Sequence, residues 1–301
     1  MGRARGFARA GGERMSARKM GRAALWMRAP MLLWAIAFVG VSLGYVLVIS
    51  FLTRDTEGYG VVARFTLDNY GRLLSPNYLK VFWQSVKLAF HTTAICLLIG
   101  YPFGYLMARA SAFWRSILML LVIVPFWTNA LVRIYGWKIL LMANGPINNF
   151  LMAIGLADAP LKLLNTYGAV LLGMVYALIP FMILPVYTSV EKLDWSVVEA
   201  GRDLGAGRVR AFFTVTLPLT APGVMAGCVL VFVPSMGLFF ISDLLGGATE
   251  VLAGSLIRDQ LLKSRDWPFA AALSMVLLVI TCALLWVYAR LGGKSSDMTI
   301  F

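Results

Sequence analysis

The chain has 301 residues, of which 60% are hydrophobic and 14% charged, and its 27 Lys plus Arg against 14 Asp plus Glu give a formal net charge of +13. An apolar share this far above the roughly 45–50% of an ordinary soluble domain excludes a water-soluble globule. Cys96, Cys228 and Cys282 are scattered through apolar runs, which excludes a disulfide framework and a zinc-ligand spacing.

In chain order, residues 1–28 carry eight cations among Gly and Ala without apolar periodicity, and are predicted to be a flexible tail drawn to anionic lipid headgroups. A bilayer core about 30 Å thick needs roughly 20 apolar residues in a helix. Six stretches qualify: 29–53, 81–108, 113–143, 168–190, 217–242 and 267–289. The first is longer than the roughly 7–15 apolar residues of a secretory core region, so it reads as a retained anchor. The second contains Lys87 and His91 near its start, and the third is interrupted by Pro125, Arg133 and Lys138 but is still long enough to span. The remaining spans carry no charged side chain. Residues 29–290 are therefore expected to form one six-helix domain, followed by a cytoplasmic tail over 291–301. The predicted fold class is an all-α integral membrane protein.

Lys and Arg divide unequally between the two sides: sixteen fall on the side holding both termini and eight on the other, where eight Asp and Glu balance them. Positive charge stays in the cytoplasm, so both termini are predicted cytoplasmic. The high charge thus reports topology and membrane lipid rather than a nucleic-acid partner. Lys87 and His91 are spaced i, i+4 near an outer helix end, as snorkelling side chains would be.

The connection between the second and third spans is very short, which forces a tight hairpin. The fourth connection, 191–218, reads as two short cytoplasmic helices. Asp194 or Ser196 can cap the first, Leu193, Val197, Ala200 and Leu204 give it an apolar stripe, and Gly205 with Gly207 ends it. Val209, Phe212 and Phe213 give the second an apolar patch, and Pro218 suits the first turn of the next span.

This segment resembles the cytoplasmic EAA loop of ABC importer permeases: Glu-Ala-Ala, three residues, Gly, nine residues, Ile, one residue, Leu-Pro. Glu199, Ala200, Gly205, Leu217 and Pro218 match in register, while Gly201 stands for Ala and Val215 for Ile. The resemblance implies that Glu199, Ala200, Gly201, Arg202, Asp203, Gly205, Leu217 and Pro218 couple the chain to a cytoplasmic ATPase dimer. ATP and Mg are then used by that partner, and no cofactor, metal or catalytic residue is expected here. Gly293-Lys294-Ser295 ends like a phosphate-binding loop, but Tyr288 stands where its first Gly would be.

Further segments resemble the permeases of spermidine and putrescine importers: residues 65–70, 124–129, 133–136, 193–194, 242–247 and 265–269. That resemblance implies a bacterial inner-membrane location, a second related permease subunit and a periplasmic substrate-binding protein. A flexible polycation calls for carboxylates and aromatic faces. Trp127, Tyr187, Phe239, Phe240 and Asp243 are the candidate pathway residues, whereas Lys87, Arg133 and Lys138 must be paired or turned away. With a single His and no paired carboxylates in any span, an intramembrane enzyme has little support.

Overall fold

The computed structural model describes residues 30–31, 33–55, 60–247 and 251–296. The predicted tail at 1–28 lies outside them, as do the last five residues. The end carrying the 192–207 connection is called inner below, and the opposite end outer.

Helix α1 spans Leu33–Ser50. It leads into strands β1 (Leu52–Arg54) and β2 (Val61–Phe65) and the short α2 (Asp68–Leu73). Helix α3 (Pro76–Arg109) and helix α4 (Ala112–Trp127) form the predicted hairpin across Ala110 and Ser111. Next come α5 (Ala130–Leu141), α6 (Pro146–Ala153), α7 (Tyr167–Glu191) and α8 (Trp195–Asp203). Helix α9 runs Arg208–Gly237. It is followed by α10 (Phe239–Ile241), which continues into a π turn at Ser242–Gly246, by α11 (Ala253–Leu262) and by α12 (Trp267–Ser296).

Among the described residues, α1, α3, α7, α9 and α12 are each long and apolar enough to cross a membrane. The expected single span over 113–143 is corrected: it breaks at residues 128–129, and the two halves meet at a 94° bend. The cause is local. Pro125 cannot donate to the preceding turn, the Thr128 hydroxyl bonds back to the Pro125 carbonyl at 2.7 Å, and Asn129 accepts from the Leu131 amide at 2.8 Å to start a new helix. The last span is also longer than expected, with backbone helix continuing to Ser296, so Gly293-Lys294-Ser295 is helical and not a phosphate loop.

At 34 residues, α3 is about 51 Å long, well beyond the hydrocarbon thickness. Its outer turns, including Lys80 and Lys87, can therefore stand clear of the lipid core. Helix α7 forms the centre, packed between α3 and α9, with Val170, Met174, Leu178, Met182, Val186 and Val190 buried at four-residue intervals. Small residues permit the approach: a Cβ on Gly104 would lie 3.1 Å from the Ile183 carbonyl oxygen, and one on Gly223 only 2.6 Å from that of Pro185. The Tyr101 and Thr220 hydroxyls bond at 3.0 Å and tie α3 to α9 inside the bundle.

The outer end holds the non-helical structure that the all-α reading did not anticipate. The two strands form an antiparallel ribbon, with Thr53 opposite Val62 and Arg54 opposite Val61. Asn69 donates to the Ser50 and Leu52 carbonyls at 3.0 and 2.9 Å, which locks the ribbon to the end of α1. Arg72 bonds the buried Asp266 at 2.9 Å and lies 4.0 Å over the Phe269 ring, fastening α2 to the start of α12. Buried Asn148 shapes the 142–161 connection by donating to the Met142 and Leu161 carbonyls and accepting from the Leu161 amide.

Candidate functional site

The inner connection folds as its spacing requires at the first helix. Asp194 caps α8 by accepting from the Ser196 amide at 3.0 Å, and bonding to Ser196 holds its carboxyl below the usual range. The helix ends in a Schellman arrangement: the Ala206 amide donates to the Gly201 carbonyl at 3.2 Å and the Gly205 amide to that of Arg202 at 2.9 Å. Gly205 takes φ +89°, a conformation that costs an L-residue about 1–2 kcal/mol. This gives the fixed glycine of the loop pattern a physical reason.

The two departures from that pattern meet in space. A Cβ on Gly201 would sit 3.3 Å from Val215 Cγ2, so the smaller residue at each position suits a close approach between α8 and α9. Gly201 still costs about 1 kcal/mol of helix propensity relative to Ala.

The second inner helix is not a separate element, which corrects the two-helix expectation. It is the first turn of α9, joined to the span through a π turn at Phe212–Thr216. Pro218 comes one residue after that turn and, lacking an N–H, makes no demand on it. Leu217 packs against the main core, whereas Pro218 is exposed.

Glu199, Ala200, Arg202 and Asp203 are exposed along α8, and Leu204 beside them is 90% exposed. Glu199, Arg202 and Asp203 take part in no ion pair among the described residues. Glu199 and Arg202 share a cavity of about 340 Å³ with Tyr105, Arg109, Trp195 and Arg208. Three arginines against one carboxylate leave this cavity positive.

Three of these wall residues, Tyr105, Arg109 and Trp195, were not singled out from the sequence. Tyr105 meets Trp195 edge-on at 6.0 Å and Phe212 at 6.2 Å, and Arg109 lies 4.9 Å over Trp195. Tyr105 and Arg109 stand four apart at the end of α3, which is a visible pairing. Trp195 is 86 residues further on, and only the fold reveals the meeting.

The five pathway candidates are dispersed. Trp127 is 81% exposed at the end of α4. Tyr187 is buried in α7, and its hydroxyl donates to Glu191 at 2.6 Å. Phe240 packs on the main core, while Phe239 lies 5.3 Å under the Arg258 guanidinium. Asp243 is ion-paired with Arg258 and accepts from the Ser255 hydroxyl at 3.2 Å. Arg258 also bonds Asp259, which accepts from Lys263 at 3.0 Å. Burial raises the Asp259 carboxyl pKa, but bonding and charge from Arg258 and Lys263 outweigh it and hold the pKa below the usual range.

The cations inside the spans are turned onto aromatic rings. Lys87 lies 5.8 Å from the Tyr167 ring centre, Arg133 lies 5.3 Å from Phe126 and 5.7 Å from Tyr176, and Lys138 lies 5.7 Å from Tyr135. His91 bonds the Tyr167 hydroxyl at 3.1 Å. Among the described residues no group of His, Cys, Asp and Glu is arranged to hold a metal.

Residues 100–290 match the family model described as the inner membrane component of binding-protein-dependent transport systems. The chain is 48% identical over 257 residues to the Haemophilus influenzae spermidine/putrescine transport system permease protein PotB, covering 85% of this chain and 90% of that one. Identity to the Escherichia coli protein of the same name is 47% over 257 residues, or 85% and 93% of the two chains. In overall fold the structure is similar to a bacterial ABC transporter that imports alginate, with a TM-score of 0.69 at 16% identity over 96% of this chain and all of that one. It is also similar to the MetNI methionine ABC transporter, with a TM-score of 0.55 at 12% identity over 74% and 99%. Sequence, span pattern and fold agree that this chain belongs to the family of binding-protein-dependent transport inner membrane components, as a multi-pass permease subunit of an ABC importer.

Proposed function

We propose that the chain forms half of a translocation pathway for spermidine and putrescine, paired with a second related permease and driven by a separate cytoplasmic ATPase dimer that uses ATP and Mg. A periplasmic binding protein delivers substrate, and both termini lie in the cytoplasm. The observation that carries the substrate is the 46–48% identity, over most of the chain, to permeases named for these two polyamines.

The coupling role rests on α8 and the start of α9. Glu199, Ala200, Arg202, Asp203 and Gly205 present an exposed polar and apolar ridge, Gly201 seats it against Val215, and Leu217 with Pro218 carries its motion into the bundle. Trp127, Tyr187, Phe239, Phe240 and Asp243 are proposed as pathway residues. Tyr187 and Asp243 already hold internal partners, so either reaches substrate only after exchanging them.

The test is reconstitution with the partner permease, ATPase and binding protein. ATP-dependent uptake of spermidine and putrescine is expected, with an unrelated neutral solute excluded. Uptake that persists without the ATPase would refute the coupling. An impermeant thiol reagent should reach Ala206→Cys only from the inner face.

A further inference from the structure

The corner at which α7 turns into α8 is held by two arginines, and both come from the α3–α4 hairpin. Arg109 is the last residue of α3; its guanidinium carbon lies 4.9 Å from the centre of the Trp195 ring and 5.9 Å from that of Tyr105. Arg115, in the first turn of α4, bonds Glu191 at 2.9 Å and reaches back to the Ala108 carbonyl at 3.4 Å. Glu191 ends α7 and Trp195 begins α8, so the two contacts stand on either side of the bend.

The contacts differ in kind. Glu191 also accepts from the Tyr187 hydroxyl at 2.6 Å, and Arg115 also donates to the Ala108 carbonyl, so this ion pair is fixed in direction from two sides. A guanidinium over a ring needs only to stay above the face within about 6 Å of its centre, which tolerates a small slide of the ring beneath it. Helix α8 itself has no buried residue, and its other close contacts, Gly201 with Val215 among them, lead to α9.

We infer that Arg109 and Arg115 are positioning residues that make the α3–α4 hairpin a second receiver of coupling-loop motion. Glu191–Arg115 is the pivot, and Trp195 moving under Arg109 is the arm that carries displacement of α8 into α3 and the bent α4–α5 pair. The inference deepens the coupling-loop reading above and rests on it. It adds a route that bypasses α9.

The complete transporter in proteoliposomes tests this by reading spermidine uptake and ATP hydrolysis together. Arg109→Gln and Trp195→Leu are expected to lower uptake per ATP at least fivefold while the ATPase stays associated. Arg109→Lys and Trp195→Phe, which keep the cation and the ring, should recover most of it. Arg115→Glu should act like the first pair, lowering the ratio while the ATPase stays associated, and adding Glu191→Arg should restore at least half of it. Should Trp195→Leu fail to accumulate, the charge swap decides, and no gain over Arg115→Glu alone overturns the proposal. An unchanged ratio in all three single variants, alongside a Gly205→Val control that does lose the ATPase, removes the hairpin from the route and leaves the loop reading standing. If Gly205→Val also keeps ATPase and uptake, both fall.

Discussion

The inner corner at Glu191–Gly205 and the outer cluster around Arg258 both contain arginines and carboxylates, yet they are finished differently. Outside, Arg258 bridges Asp243 and Asp259, Lys263 closes on Asp259, and Arg72 holds Asp266. Inside, one pair is satisfied by Arg115 and Glu191, while Glu199, Arg202, Asp203 and Arg208 take part in no ion pair among the described residues. Val197, Leu204, Val209 and Phe213 are exposed beside them. A surface that leaves both charges and large apolar groups unspent is what the docking role proposed for this loop requires.

The largest effect expected from breaking this contrast is at Gly205. Replacing it with Val forces a β-branched residue to φ +89° and unwinds the end of α8. ATP-driven uptake and ATPase co-purification should each fall more than tenfold, with insertion into the membrane unchanged on a blot. Leu204→Asp is a finer probe. Because that side chain is 90% exposed, the thermal midpoint of the isolated chain should hold, within about 0.5 kcal/mol of stability, while ATPase association weakens severalfold in pull-down titrations.

On the outer side the expectation reverses. Asp243→Asn leaves Arg258 with Asp259 alone, so the midpoint in detergent should drop by a few degrees, and the KM for spermidine uptake should rise severalfold as the proposed pathway loses a carboxylate. A lowered midpoint with an unchanged KM would instead leave Asp243 a structural partner of Arg258 and take it out of the pathway. The smallest effect is that of acid. Because the Asp259 pKa is lowered in the folded chain, its contribution is complete above the ordinary carboxylate range near about 3.9 and is lost only as pH falls through the lowered value. Thermal midpoints should therefore lose this contribution only at the acid end of a scan from pH 7 to pH 3, and Asp259→Asn should remove that part of the dependence.

How much of this was legible depended on the range over which each signal acts. The spans follow from composition, and the loop's cap and terminal glycine follow from residues two to six apart, so α8 was readable almost to the bond. The break at residues 128–129 was not, because an apolar run carrying Pro125 is equally compatible with a kinked continuous helix until Asn129 is seen to cap. The outer ribbon was missed because Val61 and Val62 form too short a β-branched run to stand out. Arg115 and Glu191 are 76 positions apart, and nothing local to either marks the other as its partner. For Asp243, the partner Arg258 lies on a later helix that the sequence alone did not orient.

The π turn at Phe212–Thr216 has a geometric consequence for the helix it interrupts. One residue beyond an α-helical turn offsets all that follows by about 100° around the axis. Arg208 and Leu217 therefore belong to two screw threads cut out of phase on a single rod. Deleting one residue within 212–216 would bring the two threads back into phase while leaving the rod intact.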